Sequence, residues 1–311
     1  MKTPERGVVA QLDTLVRLRV AARDIDFLPR QPHRSLLAGR RASKLRGRGM
    51  DFEELRAYVP GDDVRCMDWH ATMRLGRPFV RTYREERDRP LMLLVDQRRG
   101  MFFGSREKMK SVVAAELAAL VAWCATAHGD RVGALLFGEA QTRTFRPTRS
   151  EAQVQRICEG LVQSTEELVT AEPGARDAFV DAARACLRLA AHDALLVVIS
   201  DFRALSDEAL VLLRRLREHN DLLLAWITDP LEKSLPERGS LPVTDGERRF
   251  ALPTAEPGFR SAFAAEFAHE RQRFEEFVRR SGGIGFELSS DQEPAERLRE
   301  VLGRRASGAA R

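Results

Sequence analysis

Three short runs of large apolar residues limit what this chain can fold into: LMLLV at 91–95, LLVVIS at 195–200 and LLLAWIT at 222–228. Each is too short for a buried helix, and amphipathic helical patterns separate them. Runs of this kind read as strands buried on both faces, in a largely parallel sheet covered by helices on either side. Strands are expected at 91–96, 131–137, 141–146, 194–200, 221–228 and 284–288, with Gly138-Glu139 turning a hairpin that adds one antiparallel strand. Helices are expected at 7–28, 106–128, near 150–162, near 175–191, and at 206–219, 257–281 and 294–304.

The first helix carries Val8, Leu12, Leu15, Val16 and Val20 at the spacing of one face, and Pro29 and Pro32 lie beyond its end. Phe259, Phe263, Phe267, Phe274 and Phe277 form a stripe on helix 257–281 that reads as core. A small hairpin is expected in SLPVTDGERRFALP, with Asp245-Gly246 at its turn. Residues 1–89 then form a helix and a strand-and-turn extension, 90–304 the α/β domain, and 305–311 a tail.

Composition narrows the chemistry. At 43% hydrophobic and 31% charged residues, the chain has an ordinary globular make-up. No continuous apolar run reaches the ~18 residues of a membrane helix. The N-terminus lacks the apolar core of a signal peptide, so a cytoplasmic location is expected, with membrane contact only through partners. Cys66, Cys124, Cys158 and Cys186 form no C-x-x-C pair, and the six histidines show no metal-binding spacing. Buried free thiols follow, not zinc. No G-x-x-x-x-G-K-[ST] loop is present, and no nucleophile stands with a histidine at a recognisable spacing. Every charged residue from Arg30 to Gly49 is basic, which fits a solvated face, an acidic partner or a phosphate-binding arm. Few aromatics interleave with those arginines, so the base-stacking form of nucleic-acid binding is disfavoured.

Asp96 ends the first apolar run and Asp201 follows "VVIS". Carboxyl ends of parallel strands are where open α/β sheets place ligand sites. Gln97, Arg98, Arg99 and Gly100 come directly after Asp96, an unexpected neighbourhood for a cation.

The segment FEELRAYVPGDDVRCMDWHATMRLGRPFVRTYREE, residues 52–86, completes the pattern. Its Arg56, Tyr58, Pro60, Gly61, Asp62, Asp63, Arg65, Asp68 and Trp69 resemble the hallmark R-x-Y-x-P-G-D-D-x-R-x-x-D-W of the family called domain of unknown function 58. The resemblance covers roughly residues 35–230. It implies a von Willebrand factor A-like, Rossmann-like fold. It also implies a metal-ion-dependent adhesion site for Mg²⁺, and partnership with MoxR-type AAA+ ATPases and other von Willebrand A proteins.

That site uses a D-x-S-x-S loop, a loop threonine and a later aspartate. Asp96 and Asp201 match the two aspartates, Arg98 and Gly100 replace the serines, and Thr170 alone stands near the threonine position. Mg²⁺ takes six oxygen ligands, so two carboxylates make a poor site. Arg98 or Arg99 is therefore expected to stand in for the cation and neutralise Asp96 and Asp201. Alternatives are arginines that point to solvent, or a true Mg²⁺ site.

In the hallmark, Asp62 and Asp63 are expected to cap a turn and pair with Arg56 or Arg65, and Trp69 to pack on the sheet. The resulting expectation is a non-catalytic interaction module, an adaptor or co-chaperone of a MoxR-type ATPase, contacting partners through Arg98, Arg99, Asp62, Asp63, Arg65, Asp68 and Trp69. Alternatives are nucleic-acid binding through 30–49 and a divalent-metal hydrolase using Asp96 and Asp201.

Overall fold

The computed structural model describes residues 7–25, 50–60, 62, 64–85, 90–171, 177–190, 192–203, 206–237, 239–244 and 249–308, without the side chains of 50–54, 81–85 and 303–308. The basic stretch 30–49, Asp63, the hairpin turn at Asp245-Gly246 and the last three residues lie outside them. The chain divides into two compact units, Met1–Leu28 with Arg89–Arg311, and Pro29–Asp88.

The larger unit is built on a six-stranded sheet. Its strands are β3 (Leu91–Gln97), β4 (Val132–Gly138), β5 (Thr142–Thr148), β6 (Leu195–Ser200), β7 (Asp221–Thr228) and β10 (Ile284–Ser289). They lie in the order β10-β7-β6-β3-β4-β5. All neighbours are parallel except β5, which returns antiparallel to β4. The expected sheet, hairpin and helix layers are all present.

Alternation along the strands decides which helix layer each residue meets. On β3, Leu91, Leu93 and Val95 belong to one core cluster, and Met92 and Leu94 to the other. The first cluster is closed by α1 (Leu12–Ala22), α3 (Lys110–Ala127), α4 (Glu151–Leu168) and α9 (Pro294–Gly308). The second is closed by α5 (Ala178–Leu189), α6 (Asp207–His219) and α8 (Pro257–Ser281). Burying each of these five β3 side chains stabilises the fold by roughly 1.5–3 kcal/mol before entropy is counted.

Helix α3 shows how the layers work. It is long and apolar enough to cross a membrane, yet most of it is buried between the sheet, α1 and α4. Trp123 on α3 donates its indole N–H to the Leu15 carbonyl at 3.0 Å, which ties α1 to this layer. The first helix therefore belongs to the larger unit and not to the extension with which it was grouped. It is also shorter than the expected 7–28. It buries Leu15 and Ala22, whereas Leu12 and Val20 are exposed, because Val9 and Ala10 enter the core before the first turn begins. In the phenylalanine stripe, Phe267, Phe274 and Phe277 are buried, with Phe267 and Phe274 against Trp226 of β7. The expected small hairpin is β8 (Leu241–Thr244) paired antiparallel with β9 (Arg249–Leu252). Helix α9 runs past residue 304 to Gly308, into the segment expected as tail.

Cys124, Cys158 and Cys186 are buried on α3, α4 and α5, and burial pushes each thiol up to about 12. The thiolate is the reactive form, so these three should resist an aromatic disulfide reagent at pH 8. Under native conditions the reagent is expected to release colour from Cys66 alone, and from all four cysteines after unfolding. Fast release of more than one equivalent from the native protein would contradict this packing.

The smaller unit pairs β1 (Met50–Ala57) antiparallel with β2 (Phe79–Glu85), with a bulge between Phe52 and Glu54. Between them lie a turn of 3-10 helix at Val64–Cys66 and α2 (Trp69–Leu75). Gly76 ends α2 in the left-handed region at φ 67°, where a side chain would be strained.

Candidate functional site

The order of the strands sets the place of the site. From β3 the chain steps outward to β4, and later returns to β3's other side as β6. This reversal opens a crevice beyond the carboxyl ends of β3 and β6, where doubly wound sheets hold ligands. Asp96 and Asp201 stand at those two ends, both buried.

Neither carboxylate is left open. Arg98 wraps back on Asp96: its Nε lies 3.0 and 3.2 Å from Oδ1 and Oδ2, its Nη2 2.7 Å from Oδ2, and its backbone N–H donates to Oδ1 at 2.9 Å. Ser200, the last residue of β6, donates its hydroxyl to Asp96 Oδ2 at 2.6 Å and accepts from the Phe202 backbone N–H at 2.9 Å. Phe137 and Phe179 flank the Arg98 guanidinium at 5.9 and 5.8 Å from their ring centres. Burial works against the Arg98 charge, but Asp96 and then Asp201 outweigh it, and its pKa is raised.

Asp201 has a different cation. Lys110, wholly buried in the first turn of α3, places Nζ 3.2 Å from Asp201 Oδ2 and 2.8 Å from Glu232 Oε1. A lysine there opposes the helix dipole and is desolvated, so it needs both carboxylates. Burial pushes its pKa down, but Asp201 and Glu232 overcome this and hold it above the ordinary value. The reverse holds for Asp201. Burial pushes its carboxyl up, and Lys110, the Arg203 backbone N–H and Arg98 bring it below the usual carboxylate range.

The neighbouring loop is equally fixed. Glu232 lies in α7 (Pro230–Lys233), and its second oxygen accepts from the Asp229 N–H at 2.9 Å in a capping box. Asp229 accepts from Ser105 N–H at 2.9 Å and Ser290 Oγ at 2.6 Å. Arg203 extends the chain of charges to Glu232 at 3.5 Å and Glu270 at 3.3 Å.

The expected pairing of an arginine with Asp96 is made by Arg98, and two other details differ from expectation. Lys110 is the residue in direct ionic contact with Asp201. Arg99 takes no part: its N–H donates to Glu139 and its guanidinium to the Ala171 carbonyl at 3.3 Å, because the 3-10 turn at Arg99–Met101 swings it outward. Position 100 does face Asp201, since a Cβ there would come within 3.0 Å of Oδ2, but glycine offers no hydroxyl. Thr170 is exposed. With Asp96 and Asp201 already held and no hydroxyls at positions 98 and 100, these residues do not fit a resident Mg²⁺. Among the described residues, no three His, Cys, Asp or Glu side chains form a metal-binding group.

A family model described as "Protein of unknown function DUF58" matches residues 54–273, which include both carboxylates and their cations. The chain belongs to the DUF58 family. Uncharacterised proteins of Mycobacterium tuberculosis and Mycobacterium bovis are each 29% identical to this DUF58 chain over 295 residues, covering 93% of it and 90% of the relative. Among solved structures, the conserved hypothetical protein BatB from Bacteroides thetaiotaomicron matches with a TM-score of 0.44 and 12% identity, over 70% of this chain and 99% of that one. An aerotolerance-related membrane protein from Bacteroides fragilis matches with a TM-score of 0.43 and 13% identity, over the same shares.

The remaining candidates belong to the smaller unit and build its frame. Asp62 accepts from Arg56 Nη2 at 2.8 Å and from the Val59 N–H at 2.9 Å, and the Arg56 bond holds its carboxyl below the usual range. Asp68 caps α2 by accepting from the Ala71 N–H at 3.0 Å. Arg65 is exposed in the 3-10 turn. Trp69 was expected to pack on the sheet, but it stands exposed at the first turn of α2. Its neighbour Asp68 takes the buried position, because the cap must reach the helix N–H groups.

Lys110, Ser200, Glu232 and Arg203 were missed by sequence reasoning. One signal was available: Lys110 and Glu116 are the two charged residues in the 18-residue α3. Glu116 pairs with Lys108 at 2.9 Å, which leaves Lys110 to find other carboxylates.

Proposed function

We propose that this DUF58 protein is a non-catalytic interaction module, an adaptor or co-chaperone for a MoxR-type AAA+ ATPase, on a von Willebrand A-like domain whose metal site has become an internal ion-pair cluster. One observation carries the reading. The carboxylates at the switch point are each held by a cation of the chain itself, Asp96 by Arg98 and Asp201 by Lys110. A catalytic carboxylate or a metal ligand needs an open coordination position or a free lone pair at the mouth of the crevice. Here the same groups hold β3, β6, α3 and α7 together. The doubly wound strand order with one antiparallel edge, and position 100 facing Asp201, support the von Willebrand A-like assignment. ATP hydrolysis would belong to the partner.

The test is direct binding. The purified full chain and the MoxR-type ATPase encoded in the same genome are expected to associate at micromolar or tighter affinity by interferometry. The ATPase is expected to turn over ATP at an altered rate in the complex. No association with nucleotide-loaded or nucleotide-free ATPase would remove the reading.

A further inference from the structure

The six-stranded sheet ends in two edge strands, β5 and β10, and the two are finished differently. An open edge presents unpaired N–H and C=O groups to any strand that can reach them. The β5 edge is blunted. It is bulged against β4, it contains Pro147, and the Gln153 side-chain amide donates to the Arg146 carbonyl at 2.9 Å.

The β10 edge is blunted over its second half. Alternate residues of a parallel strand turn their N–H and C=O to opposite neighbours. The Ser290 N–H donates to the Thr228 carbonyl at 2.8 Å, so even-numbered positions face β7 and odd-numbered ones face outward. Two outward residues are partly covered. Ser289 donates its N–H to Gln292 Oε1 at 3.1 Å and accepts from the Gln292 N–H at 3.0 Å, and Arg297 Nε donates to the Glu287 carbonyl at 2.9 Å. The Gly285 N–H and C=O and the Glu287 N–H have no hydrogen-bond partner across this edge among the described residues.

These groups open into a groove of about 450 Å³. One wall is α8, with Arg271 and Phe274, the other is α9, with Arg297 and Val301, and β10 with Gly285 and Phe286 makes the floor. Gly285 sets the position of the first wall. A Cβ there would come within 2.3 Å of Val278 Cγ2 and 3.0 Å of the Phe274 ring, so glycine lets α8 sit this close to the strand.

The hydrogen-bonding pattern states what fits the groove. Backbone donors and acceptors at strand spacing are met by the backbone of another strand lying about 4.8 Å away. A second copy of this chain is a poor occupant. Its own β10 lies between the same two helices, and α8 and α9 of the two copies would meet before the recessed edges could pair. A lone extended segment has no such flanks. Its side chains would alternate between Phe274 on one wall and Val301 on the other, which suits β-branched residues.

We propose that the groove between α8 and α9 takes an extended peptide segment of another protein, which adds to the sheet beside β10 at Gly285 and Glu287. Arg297 keeps that segment short by occupying the Glu287 carbonyl. The proposal stands independently of the adaptor reading and uses none of the ion pairs at Asp96 and Asp201.

The probe is a fluorescein-labelled decapeptide of alternating valine and threonine with an aspartate at each end, titrated into the full-length protein and read by anisotropy. Saturable binding in the micromolar range is expected. Amide exchange of Gly285 and Glu287, followed by NMR, should slow in the complex. Arg297→Ala frees the Glu287 carbonyl for one more strand bond and is expected to tighten binding about two- to tenfold. The exchange measurement needs no variant, so it stands if Arg297→Ala misfolds.

No saturable binding at millimolar peptide would overturn the proposal. Binding that leaves exchange at Gly285 and Glu287 unchanged would overturn it too, because the peptide would then sit elsewhere. A wild-type dimer in sedimentation, with those two amides already protected, would assign the edge to a second copy and also overturn it.

Discussion

Lys110→Met is expected to destabilise the larger unit by about 3–5 kcal/mol, the usual consequence of removing one partner from a buried ion pair. Methionine fills a similar volume, so the loss is electrostatic and not a cavity. Asp201 and Glu232 would remain buried beside each other with their shared cation gone. Arg203 would still face Glu232 at 3.5 Å, but from a part-exposed position where solvent screens its charge. At roughly 2–4 °C per kcal/mol for a domain of this size, the thermal midpoint should fall by about 6–20 °C. The decisive control is the triple variant Lys110→Met, Asp201→Asn, Glu232→Gln, which removes the orphaned charges and should recover much of the loss. Loss below about 1 kcal/mol in the single variant would mean that Lys110 is not the cation of this site.

Arg98→Ala should cost a similar amount, about 3–5 kcal/mol, for a related reason. Asp96 is fully buried, and the Ser200 hydroxyl and the Arg98 backbone N–H would be its remaining donors. A buried carboxylate left without its counter-charge carries a large desolvation cost. Arg98→Lys separates charge from geometry. It keeps the cation but loses the fork on both Asp96 oxygens and the stacking between Phe137 and Phe179, and is expected to retain about half of the stability difference. Equal stability of Arg98→Ala and wild type in urea would show that the guanidinium stands outside the network.

Much of the architecture was legible because the strands are buried on both faces. Leu91 to Val95 have no polar residue among them, so neither a helix nor an exposed strand suits them, and their alternation sorts them between the two core clusters. The meeting of Asp96 and Asp201 was legible for the same reason. Both follow apolar runs whose carboxyl ends become neighbours once β3 and β6 pair in parallel.

The choice of cation was not legible. A helix begun at Arg106 makes Lys110 an ordinary solvated position. The structure starts α3 at Lys110 itself, after a bent segment at 105–108, and this places the ammonium beside Asp201 and Glu232. Choosing Arg98 over Arg99 depends on one 3-10 turn, which periodicity does not reveal. The first helix was misread through its start. Beginning at Leu12, it turns Val20 outward and Leu15 and Ala22 inward. Trp69 was expected to pack on the sheet, whereas with Asp68 as N-cap it begins α2 on the exposed side.

The most direct measurement of an internally compensated site is calorimetric titration of the wild-type protein with Mg²⁺, repeated with Mn²⁺. Arg98 and Lys110 already neutralise Asp96 and Asp201, so no saturable heat is expected at micromolar metal, and the thermal midpoint should be the same in Mg²⁺ and in chelator. Stoichiometric binding at micromolar affinity, lost in Asp96→Asn, would contradict it and restore the crevice as a metal site.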